Sequence, residues 1–319
     1  MKLQSSSPLV HGKPVAISGA PLASPVTEEV AREQVATEQG SHLPWAVGGR
    51  SKEKLHNPAS LDETAKKAVL VLNFVRPYRF YGESVVKACI ENGTICIDIC
   101  GEPQFLELIH AKYHEKAAEK GVYITGSSGF DSIPADLGVL YTRKQMNGLM
   151  VTEHENLQES PVQYAAQVMV GGITSVIKLM FAGLFFLFFV KFSIGRHLLI
   201  KFPWLFSFGY FSKQGPTQKQ MDGSSFTMTF FGQGYSHGFC TEKNKPNIRI
   251  CTQVKGPEAG YMTTPIAMVQ AAMTLLNDTS DLPKGGGVFT PGAAFSRTKL
   301  TDKLNQQSIE FGVISSSEV

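Results

Sequence analysis

The alternation of apolar and polar positions divides this chain near residue 151. Before that point, short apolar runs alternate with stretches of helical length. Residues 14–19 and 45–50 read as strands, with a helix over 26–35 between them. Asn57 to Ser60 reads as a cap for a helix over 61–68, and the continuous apolar run 69–75 reads as a strand covered on both faces. The rhythm continues with a helix at 82–92, a strand at 94–98, a helix at 104–120 and a strand at 121–125. Strands and helices alternating at these lengths predict a doubly wound parallel α/β sheet over residues 1–150. Beyond it come a polar linker at 152–160, an apolar middle near 165–210, strands at 226–231 and 247–254, a helix at 264–276 and a stretch rich in glycine and proline. Those strands alternate like antiparallel pairs with one wet face, which predicts an α+β second domain over 151–319.

Within the apolar middle, residues 179–190 are twelve uncharged positions bounded by Lys178 and Lys191. At about 1.5 Å per residue they cover roughly 18 Å of a hydrocarbon core about 30 Å thick. Extending the run back to residue 165 reaches spanning length, but places Lys178 near the centre at a cost of about 2.5 kcal/mol or more. A re-entrant or interfacial segment fits better. No acidic residue occurs over 160–221, whereas Lys178, Lys191, Arg196, Lys201, Lys213 and Lys219 are cationic, and Trp204 and Tyr210 sit among phenylalanines as at a membrane-water boundary. A buried core helix is the competing reading. Five phenylalanines within 181–189 weigh against it.

The net charge of +3 is small, so the chain lacks the basic field of nucleic-acid binders, and nucleic acid is not expected as a partner. Five cysteines without a CxxC pair point to reduced thiols. The first fourteen residues have no apolar core and no arginine, so neither a secretory signal nor a transit peptide is expected.

Four stretches carry a resemblance: Asn73-Phe-Val-Arg-Pro-Tyr78, Cys96-Ile-Asp-Ile-Cys-Gly-Glu102, the segment from Gly126 to Gly138, and Gly286-Gly-Val-Phe-Thr-Pro-Gly-Ala-Ala-Phe295. With them the chain resembles the saccharopine dehydrogenase-like oxidoreductases, in a shortened form. The resemblance implies a Rossmann-like NAD or NADP domain followed by an α+β domain. It also implies association with a lipid droplet or membrane on the cytosolic face, with the mitochondrion as the alternative address. Three departures accompany it. Ile17, Ala20 and Ala23 stand where the family's turn carries glycines, leaving only Gly19; residues 55–57 join segments that relatives separate; and residues 148–159 replace a longer block. Missing glycines matter because they let the backbone approach the pyrophosphate.

The candidate cofactor residues are Gly19, Arg50, Asn73 and Tyr78. Arg50, following Gly48 and Gly49, could meet a ribose 2′-phosphate or be a solvated turn residue. Asn73 and Tyr78 would line the nicotinamide side, as the resemblance implies, with Arg76 where relatives have glycine. Asp98, Glu102, Asp131 and Asp136 stand at strand ends, as acid-base groups or as helix caps, with Asp131-Ser132 favoured as a cap. His110 and His114 share a helical face without a third ligand, and Cys96 and Cys100 lack a paired base, so no metal or catalytic thiol is expected. Two function classes stay open: an NAD(P)-dependent oxidoreductase at a lipid surface, possibly homo-oligomeric and acting in lipid metabolism, or a non-catalytic lipid-surface protein that has lost its cofactor.

Overall fold

The computed structural model describes residues 15–18, 45–48, 58–75, 77–146, 165–167, 172–209, 215–234 and 246–318. Two compact units result: residues 1–150 together with 223–319, and residues 151–222. The helix expected over 26–35 and the linker over 152–160 lie outside the described residues.

The first unit opens with β1 (Val15–Ser18), β2 (Trp45–Gly48), α1 (Pro58–Lys67), β3 (Leu70–Asn73), α2 (Tyr78–Glu91), β4 (Ile95–Asp98), α3 (Pro103–Glu119), β5 (Tyr123–Thr125) and α4 (Ile133–Gln145). Ser60 lies inside α1, where its carbonyl accepts from the Thr64 hydroxyl at 2.9 Å, so the expected cap at that residue is a helix interior instead. Proline suits the first turn, which lets α1 start at Pro58.

The second unit holds α5 (Gly172–Phe189), α6 (Ser193–Lys201), α7 (Pro203–Phe206) and α8 (Gln218–Asp222). No residue of α5 is buried. The chain turns back sharply after it: a side chain at Gly195 would collide with the Phe189 carbonyl, and Arg196 Nη1 donates to the Val190 carbonyl at 3.0 Å. Phe206 then packs on Phe189 at 5.1 Å between ring centroids, and Phe208 reaches Phe185 at 6.4 Å.

The chain returns to the first unit with β6 (Ser225–Gly234), β7 (Ile248–Pro257), α9 (Thr264–Asn277), β8 (Gly287–Phe289), α10 (Pro291–Phe295), α11 (Leu300–Gln306) and β9 (Glu310–Glu318). Six strands pair in parallel in the order β2-β1-β3-β4-β5-β8, and β6-β7-β9 form an antiparallel sheet. The fold is a Rossmann-like doubly wound α/β sheet joined to a smaller antiparallel sheet.

Both faces of the parallel sheet are covered. Val71, Cys96 and Ile124 pack with Val86, Ile109 and Ala117 of α2 and α3. Leu70, Leu72 and Ile97 pack on the opposite side with Leu137, Ala271, Leu275 and Leu304, and Val254 and Phe311 of the small sheet join that cluster. Alternate residues of β3 thus enter two different apolar layers, which is why its sequence is apolar without interruption.

The expected second domain over 151–319 requires correction. Residues 223–319 belong with 1–150, because β8 completes the parallel sheet beside β5 and α9 covers it. β8 has only three residues and follows Gly285 and Gly286, both at positive φ, so it carries no periodic signal. At Gly286 a Cβ would lie 2.7 Å from the backbone of Gly121 and Val122, so the strand needs glycine to approach.

Candidate functional site

In an open parallel sheet, ligands bind beyond the carboxyl ends of the strands where the strand order reverses. Here β1 lies between β2 and β3, so the reversal falls at β1 and β3. Ser18 pairs with Asn73 across it, and Asn73 pairs in turn with Asp98. Asn73 is fully buried. Its Oδ1 accepts from the Val75 N–H at 3.2 Å, while its Nδ2 has no hydrogen-bond partner among the described residues. An unsatisfied buried amide costs about 1–3 kcal/mol, which fits a position that meets a polar ligand.

Tyr78 braces this asparagine. Its hydroxyl donates to the Asn73 carbonyl at 2.8 Å and accepts from the Ile99 N–H at 3.4 Å, and its ring lies 5.5 Å from that of Phe105. The hydroxyl therefore fixes the turn after β3 from within the protein. Glu102 completes the turn, with one carboxylate oxygen accepting from the Tyr78 N–H at 2.9 Å and the other from the Arg79 N–H at 3.1 Å. A carboxylate thus caps the positive end of α2. Beside it, Pro77, Arg79, Gly101, Glu102, Pro103 and Gln104 line a cleft of about 440 Å³.

At the end of β4, burial pushes the Asp98 carboxyl up to about 6, against hydrogen bonds from the Cys100 and Ser127 N–H groups that pull it down. Those bonds, 2.9 and 3.0 Å to one oxygen, tie together the turns after β4 and β5. Ser127 holds a left-handed φ of 55°, and its hydroxyl donates to the Cys100 carbonyl at 2.5 Å. The hydroxyls of Thr125 and Ser128 are buried without a partner among the described residues. Sequence reading passed over both, since only their place at the end of β5 distinguishes them from other hydroxyls.

Of the predicted cofactor residues, the structure brings Asn73 and Tyr78 together; Gly19 and Arg50 lie outside the described residues, as do Ala20, Ala23 and Arg76. Ile17 is an interior residue of β1, paired with Val47 and Leu72. Ser132 stands at the N-cap position of α4 with Pro134 in the first turn, as expected, although its side chain makes no capping bond. Asp136 instead accepts from the Gly292 N–H at 3.0 Å and fastens α10, while burial raises its carboxyl above the usual range. His114 Nδ1 lies 3.1 Å from the Val288 carbonyl, so this imidazole braces β8. Cys96 and Cys100 are buried; a side-chain hydrogen bond with Cys89, and burial, push the Cys96 thiol well above its ordinary value, so it stays protonated.

The family model described as "Saccharopine dehydrogenase NADP binding domain" matches residues 37–125, the stretch that holds β2 to β5 and both Asn73 and Asp98. Among solved structures, apo saccharopine dehydrogenase (L-Glu forming) from Saccharomyces cerevisiae shares the fold at a TM-score of 0.50, covering 95% of this chain and 100% of that one at 12% identity. The lipid droplet localized protein of Caenorhabditis elegans is 29% identical over 87% of this chain and 93% of its own. The mouse saccharopine dehydrogenase-like oxidoreductase is 62% identical over 407 aligned positions, 92% of this chain and 95% of its own. That aligned length exceeds the 319 residues present, so the relative has residues that this chain lacks, as expected of a shortened variant. The cofactor of the matched domain is NAD(P), and a buried Asn73 Nδ2 without a partner among the described residues suits a polar ligand at the strand-order reversal. Sheet, site and sequence agree: the chain belongs to the saccharopine dehydrogenase-like oxidoreductases.

Proposed function

We propose that this chain is an NAD(P)-dependent oxidoreductase working at a lipid surface, with a lipid as its substrate class. The observation that carries the redox half is Asn73 Nδ2, buried and without a hydrogen-bond partner among the described residues where the strand order reverses. Asn73 would hold the nicotinamide end of the cofactor, Tyr78 would position Asn73, and Gly19 and Arg50 would meet the pyrophosphate and ribose. When bound, the cofactor supplies hydride exchange at its nicotinamide ring. The exposed apolar surface of α5 supports the lipid half, as does the name of the worm relative.

Titration with NADPH and NADH, followed by nicotinamide fluorescence, tests the redox half. Binding is expected, weakened about tenfold or more by Asn73→Ala, as for loss of a buried hydrogen bond to ligand. Absence of binding would sink this reading in favour of a non-catalytic lipid-surface protein, which the glycine-poor sequence after β1 favours. Flotation with liposomes tests the other half. The Phe185→Asp, Phe188→Asp double variant is expected to stay in solution, and flotation equal to wild type counts against the anchor. Imaging of the tagged chain separates a lipid-droplet address from a mitochondrial one.

A further inference from the structure

Residues 151–222 form an insertion. β5 before it and β8 after it are neighbours in one parallel sheet, within the unit formed by residues 1–150 and 223–319. A hydrogen-bonded sheet cannot be divided by a bilayer, so both ends of the insertion lie on one side of any membrane it enters. Among the described residues, α5 is the one helix long and apolar enough to cross. A chain that crossed through α5 would have to cross back, and among the described residues after it α6, α7 and α8, with nine, four and five residues, rise only about 14, 6 and 8 Å.

The side chains agree with that topology. A helix apolar on all sides calls for immersion, yet Lys178 and Lys191 bound the uncharged run and would hold both its ends at head-group depth by extending their ammonium groups to water. The corner after α5 is cationic. Arg196 reaches the Val190 carbonyl beside Lys191, and α6 ends in Lys201, whose ammonium lies 5.5 Å from the Phe202 ring centre. Ile194, Ile200 and Trp204 stand exposed along the same stretch, and no acidic residue occurs between 160 and 221 to oppose the positive field. We propose that this insertion is a one-leaflet anchor that selects anionic phospholipid surfaces, with Lys191, Arg196 and Lys201 reading the head-group phosphates. The inference rests on the lipid-surface reading above and names its partner. An anchor confined to one leaflet also enters the phospholipid monolayer over a neutral-lipid core, where a spanning helix has no second aqueous side to reach.

The test uses the full chain, offered phosphatidylcholine vesicles, the same vesicles with phosphatidylserine, and triolein droplets coated with a phosphatidylcholine monolayer. Flotation with all three is expected, with phosphatidylserine raising binding by about tenfold or more at low salt, as several basic residues near a charged leaflet produce. Lys191→Gln with Lys201→Gln should lose most of that gain, whereas Lys191→Arg with Lys201→Arg should keep it. Flotation with vesicles but not with droplets would overturn the one-leaflet topology. Equal binding to both kinds of vesicle would overturn the head-group selection and leave the lipid-surface reading standing. Failure to float with any lipid would remove that reading itself.

Discussion

Two long apolar helices of this protein meet opposite fates. In α9, every residue from Pro265 to Leu275 is buried, against the parallel sheet and α11; in α5, none is. Composition alone does not separate them, since both are mostly uncharged. Side-chain size does. Ala267, Ala271 and Ala272 let α9 approach its neighbours closely, whereas α5 carries bulky phenylalanine and leucine around its circumference, a surface that suits a fluid solvent better than a close-packed interior.

The sharpest way to break this contrast is to place one charge in each helix. Met268→Asp in α9 buries a carboxylate at a site with no exposure and should unfold the protein, a loss of several kcal/mol seen by circular dichroism. Phe186→Asp in α5 should leave the melting temperature in mild detergent nearly unchanged and reduce flotation with liposomes. Equal destabilisation by the two would mean that α5 is a core helix.

A smaller effect belongs to the sheet that α9 covers. The folded protein holds the Asp98 proton up to about pH 6, above the ordinary value of 3.8, so the native state binds this proton more tightly than the unfolded state does. The resulting stability is complete below about pH 4, falls as pH rises through 6 and is constant above, for a total of about 3 kcal/mol. Asp98→Asn keeps an oxygen for the Cys100 and Ser127 N–H groups. The stability difference between wild type and this variant should therefore change between pH 4 and 6 in denaturant titrations, and a difference independent of pH would contradict the assignment. Smallest of all, Tyr78→Phe should cost about 1 kcal/mol for the lost bond to the Asn73 carbonyl and weaken NADPH binding only a few-fold. A loss as large as that of Asn73→Ala would show Tyr78 touching the cofactor rather than positioning its neighbour.

Much of the first unit was legible in residue order. The runs at 69–75, 94–98 and 121–125 contain β3, β4 and β5, and the helices between them fall within a few residues of expectation, because strands buried on both faces leave an uninterrupted apolar signature. β8, α10 and α11 were not legible. Three-residue strands and helices of five to seven residues are too short to express a period, and β8 exists because long-range pairing with β5 stabilises it. At the site, Asn73 and Tyr78 stand out through the family resemblance of the stretch from Asn73 to Tyr78, but the hydroxyls of Thr125 and Ser128 gain interest only from burial without a partner among the described residues.

Residue order by itself determined the alternation of strand and helix, the family, and an acid-free, phenylalanine-rich segment suited to lipid, since each depends on local pattern and composition. Tertiary structure decided that residues 223–319 close the first sheet, that the apolar segment is therefore an insertion within that unit's chain, and that the buried Asn73 Nδ2, where the strand order reverses, has no partner among the described residues. Closure of the sheet rests on pairing between residues more than a hundred positions apart, which no local window of sequence contains, and the state of the Asn73 nitrogen rests on its burial at the sheet.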